Sequence, residues 1–241
     1  VALRLVGVER DSEVLTQALT FVAGSNAIAY LGAQPVFVDV DRETMGMSPD
    51  ALRAFLEEFG EPGDDGCFNR ATGRRIAACQ PMHTFGHPVR IDEIVAICDE
   101  WGIPVVEDAA ESLGSWFRDR HTGTFGRLGV FSFNGNKIVT TGGGGMIVTD
   151  DEALAVRAKH LTTTAKVPHT YEYVHDELGY NFRMPNLNAA LGCAQMAQLS
   201  GFLETKREIA ERYRTFFQES GVEFVSEPEG ARSNYWLNAI V

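Results

Sequence analysis

The stretch IDEIVAICDEWGIPVVED, residues 91–108, decides the fold class. Its first part, 91–101, places apolar side chains at helical spacing, and Gly102 and Pro104 end the predicted helix. PVVED (104–108) is then a near-continuous apolar run, typical of a buried strand in a parallel sheet. A helix that leads directly into a buried strand indicates an α/β protein.

The same alternation extends to both sides of this stretch. We predict further strands at PVFVDV (35–40), RRIAACQPM (74–82), GVFSFN (129–134) and GMIVTD (145–150). Further helices are predicted from Pro49 onward with Ser48 as N-cap, over 151–161, and over 186–220 with a break at Ser200-Gly201. The expected architecture is a mainly parallel central sheet flanked by helices.

The segments between these elements and the two ends of the chain suggest its domain organisation. Residues 59–73 read as a polar, exposed insertion, and 162–181 as a long loop of the kind that is usually functional. VALRLVG reads as the tail of a helix, and VEFVSEP and YWLNAIV as strands of a second, smaller unit. We therefore expect part of a longer protein, with a large domain over 1–198 and the beginning of a small C-terminal domain over 199–241.

Composition narrows the possible functions and the compartment. A formal net charge of −12 argues against nonspecific nucleic-acid binding, which needs clustered Lys and Arg. No apolar run reaches the ~18 residues of a transmembrane helix, and the start lacks the features of a signal peptide. The four cysteines have neither zinc-type spacing nor a dense disulfide pattern. We expect a cytoplasmic protein with no metal site.

Asp108 ends the strand PVVED, where α/β proteins bind their ligands. Its carboxylate can face a bound ligand there. Alternatively, it caps the turn that follows, which the capping preference of aspartate favours when this residue is considered alone.

Lys137 lies in FSFNGNKIVTTGGGGM, directly after a predicted strand and beside Gly135 and the glycines of 142–145. Glycines allow a backbone to approach a flat ligand closely. A lysine in a dry site has a lowered pKa, so its neutral amine can form a Schiff base. A surface lysine beside a glycine-rich hairpin is the plainer alternative. The segment is not a Walker loop, because the lysine precedes the glycines.

The two residues together point to pyridoxal phosphate (PLP). This cofactor needs a lysine that binds it covalently and an acid that keeps its pyridinium nitrogen protonated. Asp108 is followed about 30 residues later by a Ser-x-x-x-x-Lys pattern, from Ser132 to Lys137, as in PLP enzymes.

Four blocks carry a specific resemblance: TFVAGSNAIAYLGAQPVFVDVD, VEDAAESLGS, FSFNGNKIVTTGGGGM and GYNFRMPNLNAALGCAQ. In this order, over nearly the whole chain, they resemble the DegT/DnrJ/StrS sugar aminotransferases. The resemblance implies the aspartate aminotransferase-like PLP-dependent transferase fold, fold type I. TTTAKVPHTYEYVHDELGYNFRMPN most resembles the legionaminic-acid-type enzymes, which act on a UDP-linked 4-keto-6-deoxy-N-acetylhexosamine.

The resemblance also implies residue roles around the cofactor. Lys137 would be the Schiff-base lysine and later the proton shuttle, and Asp108 would pair with the pyridine nitrogen. Glu111 falls near the phenolic oxygen, where a glutamate would have to be protonated or linked through water. Ser132 would bind the PLP phosphate, and Phe21 would stack on the pyridine ring. Without the resemblance, Phe21 would read as a core aromatic.

Further positions imply substrate contacts and a homodimer with shared active sites. Asn181 matches a residue that reaches the partner subunit's PLP phosphate. Arg183 would bind a substrate carboxylate or phosphate, or form a structural salt bridge. His83 is either part of the site wall or a satisfied core histidine. His169 and Tyr171 either reach the neighbouring site or are solvated loop residues.

The implied reaction moves an amino group from L-glutamate to C4 of a nucleotide-linked 4-keto-6-deoxy sugar, for nonulosonic-acid or surface-polysaccharide biosynthesis. The family also uses a phosphate-binding loop upstream of Val1 and a larger C-terminal domain than this chain contains. Two alternatives on the same scaffold are a sugar dehydratase, in which histidine replaces the lysine, and a non-catalytic PLP-binding regulator. A dinucleotide-binding domain would need a G-x-G-x-x-G turn, which is missing.

Overall fold

The computed structural model describes all residues from Val1 to Val241. Its helices are α1 (Ala2–Leu5), α2 (Ala23–Ala29), α3 (Pro49–Phe59), α4 (Ile91–Glu100), α5 (Glu152–Thr162), α6 (Asn186–Met196) and α7 (Leu199–Phe217). Its strands are β1 (Glu13–Gln17), β2 (Gln34–Val38), β3 (Gly60–Gly63), β4 (Gly66–Asn69), β5 (Arg74–Gln80), β6 (Val106–Asp108), β7 (Trp116–Phe117), β8 (Arg120–His121), β9 (Leu128–Ser132), β10 (Gly145–Val148) and β11 (Ala231–Arg232). No helix combines the length and apolar character needed to cross a membrane.

The central strands confirm the predicted mainly parallel arrangement. β1 pairs in parallel with β2 and β5, and β6 pairs in parallel with β9. Two parallel bridges, Cys79–Val105 and Met82–Asp108, connect the end of β5 to β6 and the residues around it. β10 lies on the other side of β9 and pairs with it in antiparallel orientation. The carboxyl ends of β5, β6 and β9 therefore lie side by side.

Helices cover both faces of the sheet. Leu15 of β1 packs in a buried cluster with Leu52 of α3 and Ile94 of α4. Its neighbour Val14 packs in a second cluster with Leu3 of α1 and Ile28 of α2. Successive strand residues point to opposite faces of the sheet. Alternate apolar residues of β1 therefore pack against the helices on opposite sides.

Local signals account for the helix starts. The Ser48 hydroxyl accepts a hydrogen bond from the Ala51 amide at 3.2 Å and Pro49 occupies the first turn of α3, as predicted. The Asp151 carboxylate caps α5 in the same way, through the Leu154 amide. The break in the C-terminal helical region lies at residues 197–198 rather than at Ser200-Gly201.

Two sequence-based expectations need revision. Residues 59–73 are mostly exposed, as expected, but they include the hairpin of β3 and β4, which adds to β5 in antiparallel fashion. The buried carboxylate of Glu13 accepts hydrogen bonds from Asn69 and Thr72 and anchors this hairpin. VEFVSEP and YWLNAIV form no strands, and they meet in the single antiparallel bridge Phe224–Ile240.

The last forty residues pack onto the rest of the chain. Trp236 joins a buried cluster with Phe131 of β9, against which Leu199 and Leu203 of α7 also pack. β11 pairs with β7. The C-terminal segment therefore reaches the carboxyl end of β9.

Candidate active site

Asp108 and Ser132 are the last residues of the neighbouring strands β6 and β9. Lys137 follows in a tight turn, in which its amide donates a hydrogen bond to the Asn134 carbonyl at 3.1 Å. The three residues that the sequence analysis placed at the cofactor are thus carried by adjacent strand ends at one edge of the sheet.

Asp108 keeps one carboxylate oxygen free. Its Oδ1 accepts a hydrogen bond from the Ala110 amide at 3.1 Å, whereas no hydrogen bond reaches Oδ2. Burial raises the pKa of this carboxyl, while the Ala110 amide and the charge of Lys137 act in the opposite direction. The capping and ligand-facing interpretations are therefore compatible, because each uses a different oxygen.

Gly24 of α2 lies close to the free oxygen and to Gln80 of β5. A Cβ atom on Gly24 would come within 2.9 Å of Gln80 Nε2 and 3.8 Å of Asp108 Oδ2. Gln80 is buried, and its Oε1 has no hydrogen-bond partner. Sequence reasoning missed Gln80; its signal was a single amide in an otherwise apolar strand end.

The amine of Lys137 is largely enclosed, with 13% of its side chain exposed, so this residue is no surface lysine. Its Nζ lies 3.9 Å from Glu111 Oε1. Burial lowers the pKa of the amine, and the charges of Glu111 and Asp108 oppose this shift. The structure thus favours access to the neutral, nucleophilic amine.

Glu111 is held by the backbone opposite this lysine. Its Oε2 accepts a hydrogen bond from the Phe85 amide at 2.8 Å. The backbone of Phe85 is in the left-handed region, with a φ of +58°. Burial raises the pKa of Glu111, against the effects of the Phe85 amide and Lys137. This direction agrees with the expectation that a glutamate here is protonated or linked through water when it faces an oxygen.

Trp236 is a second residue that the sequence analysis overlooked. The centre of its indole ring lies 3.9 Å from Lys137 Nζ. Its Nε1 donates a hydrogen bond to the carbonyl of Asn136 at 2.7 Å. In sequence it belonged to an apolar run, and nothing local linked it to the lysine.

Ser132 and Phe21 remain accessible. The Ser132 hydroxyl is half-buried and accepts a weak hydrogen bond from the Asn134 amide at 3.3 Å. Phe21 precedes α2 and is 68% exposed, so it is not a core aromatic. Its carbonyl accepts a hydrogen bond from the amide of Gly24, which places Phe21 one turn before the glycine next to Asp108.

Apart from His83, the remaining predicted residues are exposed and form no hydrogen bond or ion pair with Lys137, Asp108 or Ser132. Asn181 and Arg183 are exposed, and Arg183 forms no ion pair. His169 and Tyr171 are exposed in the loop over 162–181, where their rings meet edge to face at 4.8 Å.

Of the two interpretations of His83, the structure agrees with the satisfied core histidine rather than with a substrate-contacting residue of the site wall. His83 is fully buried, and its Nε2 lies 3.0 Å from Glu107 Oε2. Its Nδ1 accepts a hydrogen bond from the Val89 amide at 3.2 Å. Both ring nitrogens have hydrogen-bond partners, so His83 is a structural core histidine. Through Glu107 it supports β6, the strand that ends at Asp108.

One group of side chains outside this site has metal-ligand character: His160, Asp176 and Glu177. Glu177 is already paired with Arg4 and Arg157, and Asp176 with His160. Since these carboxylates are engaged by cationic or donor groups, the cluster is read as an ion-pair network.

The comparisons with known proteins agree with this site. A model of the DegT/DnrJ/EryC1/StrS aminotransferase family matches residues 1–241. EpsN of Bacillus subtilis (strain 168), named as an aminotransferase, is 42% identical over 240 residues, covering 99% of this chain and 59% of that protein. GDP-perosamine synthase of Escherichia coli O157:H7 is 37% identical, covering 100% of this chain and 61% of that protein. The aminotransferase TlmJ of Streptoalloteichus hindustanus superimposes with a TM-score of 0.87 at 32% identity, covering 99% of this chain and 61% of its own.

The fold is that of PLP-dependent transferases of fold type I. The chain belongs to the DegT/DnrJ/EryC1/StrS aminotransferase family. It spans about 60% of the length of the relatives it matches.

The residues at the strand ends fit PLP, the cofactor of this family. Lys137 offers an enclosed amine, Asp108 a half-buried carboxylate with one oxygen that accepts no hydrogen bond, and Gly24 a backbone that passes close to this carboxylate without a side chain. Ser132 offers a hydroxyl at the end of the adjacent strand. These are the groups that bind the aldehyde, the ring nitrogen and the phosphate of such a cofactor.

Proposed function

We propose that the full-length protein is a PLP-dependent aminotransferase that moves an amino group from L-glutamate to C4 of a nucleotide-linked 4-keto-6-deoxy sugar. The observation that carries this proposal is the enclosed amine of Lys137, which lies 3.9 Å from Glu111 in the turn after β9, the strand that pairs with the one ending at Asp108. Family membership supports the same reaction class.

PLP, when bound, would supply an electron-withdrawing ring next to the carbon whose amino group is transferred. Asp108 Oδ2 would hold the proton on the pyridine nitrogen, and Ser132 would orient the phosphate. Lys137 Nζ would hold the cofactor covalently and, once released, would carry a proton to and from the reacting carbon. Glu111, held by the Phe85 amide, would face the cofactor and the lysine together.

For the acceptor, we propose a UDP-linked 4-keto-6-deoxy-N-acetylhexosamine, in nonulosonic-acid or surface-polysaccharide biosynthesis. This rests on the resemblance of residues 162–186 to legionaminic-acid-type enzymes. Relatives at 31–37% identity are named GDP-perosamine synthases, which makes a GDP-linked sugar the competing acceptor. A dehydratase is disfavoured, because that subgroup has histidine where this chain has Lys137.

We also propose a homodimer in which Asn181 and Arg183 serve the partner's site. Both side chains are exposed, and neither forms a hydrogen bond or ion pair with Lys137, Asp108 or Ser132. Helix α6 supports this proposal, because none of its residues is buried although it is rich in apolar side chains.

The proposed function is tested first by absorbance spectra of the full-length protein with PLP. We expect a band near ~420 nm from the bond between Lys137 and the cofactor, which shifts toward ~330 nm with L-glutamate. Lys137→Ala should lack this band and its shift. A variant with an unchanged band and shift would overturn the assignment of Lys137.

The acceptor is tested next with the glutamate-treated protein. UDP- and GDP-linked 4-keto-6-deoxy sugars are added separately, and the return of the ~420 nm band is recorded. Faster recovery with the UDP-linked N-acetylhexosamine supports our acceptor. Faster recovery with the GDP-linked sugar would replace it, and recovery with neither would refute both of these acceptors.

A further inference from the structure

The indole of Trp236 makes two different contacts with the turn that carries Lys137. The face of the ring meets Lys137 Nζ, with 3.9 Å between the nitrogen and the ring centre. The ring edge donates the Nε1 hydrogen bond to the Asn136 carbonyl at 2.7 Å. Trp236 is 7% exposed, and an aromatic face attracts an ammonium group most strongly where water is excluded.

The position of the indole is set by the loop that also carries Glu111. Asn234 Oδ1 accepts a hydrogen bond from the Trp236 amide, and Asn234 Nδ2 donates to the Glu111 and Leu113 carbonyls. Lys206 Nζ on α7 donates to the Trp236 carbonyl at 3.0 Å. The ring and the Glu111 carboxylate therefore approach the lysine from one hydrogen-bonded framework.

Three groups act on the charge of the Lys137 amine, and burial opposes all of them. Glu111 lies 3.9 Å away and Asp108 acts from the neighbouring strand. The third is the ring of Trp236, which attracts the charged amine through its electrons without carrying a charge of its own. Glu111 is the sole ion-pair partner of Lys137.

We propose that Trp236 is a positioning residue for Lys137: its ring face holds the free ε-ammonium group, and its indole N–H fixes the turn that carries the lysine. The role in the reaction rests on the proposed aminotransferase function, in which the lysine alternates between a bound and a free amine. Trp236 would keep the free amine within reach of the reacting carbon, in the form that can donate a proton.

The test measures the titration of the Lys137 amine in cofactor-free full-length protein. The amines are labelled with trace acetic anhydride at a series of pH values, and the peptide that contains Lys137 is quantified by mass spectrometry. For Trp236→Leu we expect the labelling midpoint to fall by about one pH unit, because the ammonium loses the ring face. Tyr235→Leu is the matched control, since Tyr235 is equally buried in the same segment but packs against His87.

A purely structural role predicts the opposite sign. Lost packing would admit water, relieve the burial of the amine and raise the midpoint. A midpoint that rises or stays unchanged in Trp236→Leu would overturn the proposal, and so would an equal fall in Tyr235→Leu.

Two further measurements keep the proposal testable if Trp236→Leu does not fold. Tetrafluorotryptophan at position 236 keeps the shape and the N–H but depletes the ring face of electrons, and the midpoint should fall again. Trp236→Phe keeps a ring but lacks the N–H, and hydrogen exchange of the Lys137 amide should speed up; unchanged exchange would refute the role in fixing the turn. A missing ~420 nm band would instead refute the proposed function and leave these results unaffected.

Discussion

Two neighbouring carboxylates on β6, those of Glu107 and Asp108, have different hydrogen-bonding environments and therefore different roles. Glu107 accepts hydrogen bonds from His83 and from the Gly123 and Gly126 amides, which lower its pKa although burial acts in the opposite direction. Asp108, the next residue, has one free oxygen, and burial raises its pKa. The first carboxylate is satisfied by the fold, and the second has capacity left for a ligand.

Asp108→Asn tests this difference. The amide keeps the size of the side chain but cannot hold a proton at the pyridine nitrogen as a carboxylate does. We expect the ~420 nm band to persist and kcat to fall by about 100-fold or more. Asp99→Asn, an exposed change at the end of α4, is the control. A kcat within a few-fold of the unchanged protein would contradict the role of Asp108.

His87 makes stability sensitive to acid. Both of its buried ring nitrogens lack hydrogen-bond partners, and burial lowers its pKa to about 4. The unfolded chain binds this proton below its ordinary pKa of 6.5, so stability contributed by neutral His87 is lost as the pH falls from 6.5 toward 4.

His87→Phe keeps a ring against Tyr235 and removes the titration. Between pH 7 and 4.5, we expect the free energy of unfolding in urea to drop by about 2 kcal/mol less in this variant than in the unchanged protein. His169→Phe, in an exposed loop, is the control. Equal acid sensitivity of the unchanged protein and His87→Phe would show that His87 does not titrate in this way.

At the scale of elements, a buried glutamate ties the β3–β4 hairpin to the parallel sheet. Glu13 is 2% exposed, and its carboxylate accepts hydrogen bonds from Asn69 Nδ2 and Thr72 Oγ1, both at 2.8 Å. Opposite the edge that pairs with β1, β5 has two partners in succession: its first half pairs with β4, and its end bridges to Val105 before β6. The hairpin thus widens the sheet at its amino-terminal side, away from Lys137.

Glu13→Ala should loosen the hairpin, because the Asn69 amide is left buried without its acceptor. We expect a loss of about 1–3 kcal/mol in the free energy of unfolding and faster hydrogen exchange in β4. Glu61→Ala, on the exposed side of β3, should leave both unchanged. If the two variants unfold alike, the side chain of Glu13 is not the anchor.

At the scale of the whole molecule, the chain presents a large apolar surface. Leu187, Leu191 and Met196 of α6 are exposed, as are Phe182 before it and Met146 of β10. Exposed apolar side chains concentrated on one helix and its surroundings mark a protein interface more often than a solvated face. A second copy of the protein is the partner that the proposed shared site requires.

Leu187→Glu tests this surface, because Leu187 is 86% exposed and a buried charge at an interface is costly. In the full-length protein, we expect sedimentation velocity to show a shift from dimer to monomer at the same concentration. Val156→Glu on α5, 64% exposed, is the matched control and should leave the dimer intact. An unchanged dimer in Leu187→Glu would place the interface elsewhere.

Sequence patterns were sufficient for the α/β class, for most helix and strand positions and for the expectation that Lys137, Asp108 and Ser132 lie together. Apolar periodicity and helix capping act over a few residues, and the carboxyl ends of parallel strands necessarily share one edge. The roles of Gln80, His83 and Trp236 depended on tertiary packing. Trp236 reaches the lysine turn through a hydrogen bond between residues 100 positions apart, and His83 owes its burial to a strand it does not belong to. Such contacts leave no local signal, because they exist only once the layers have packed.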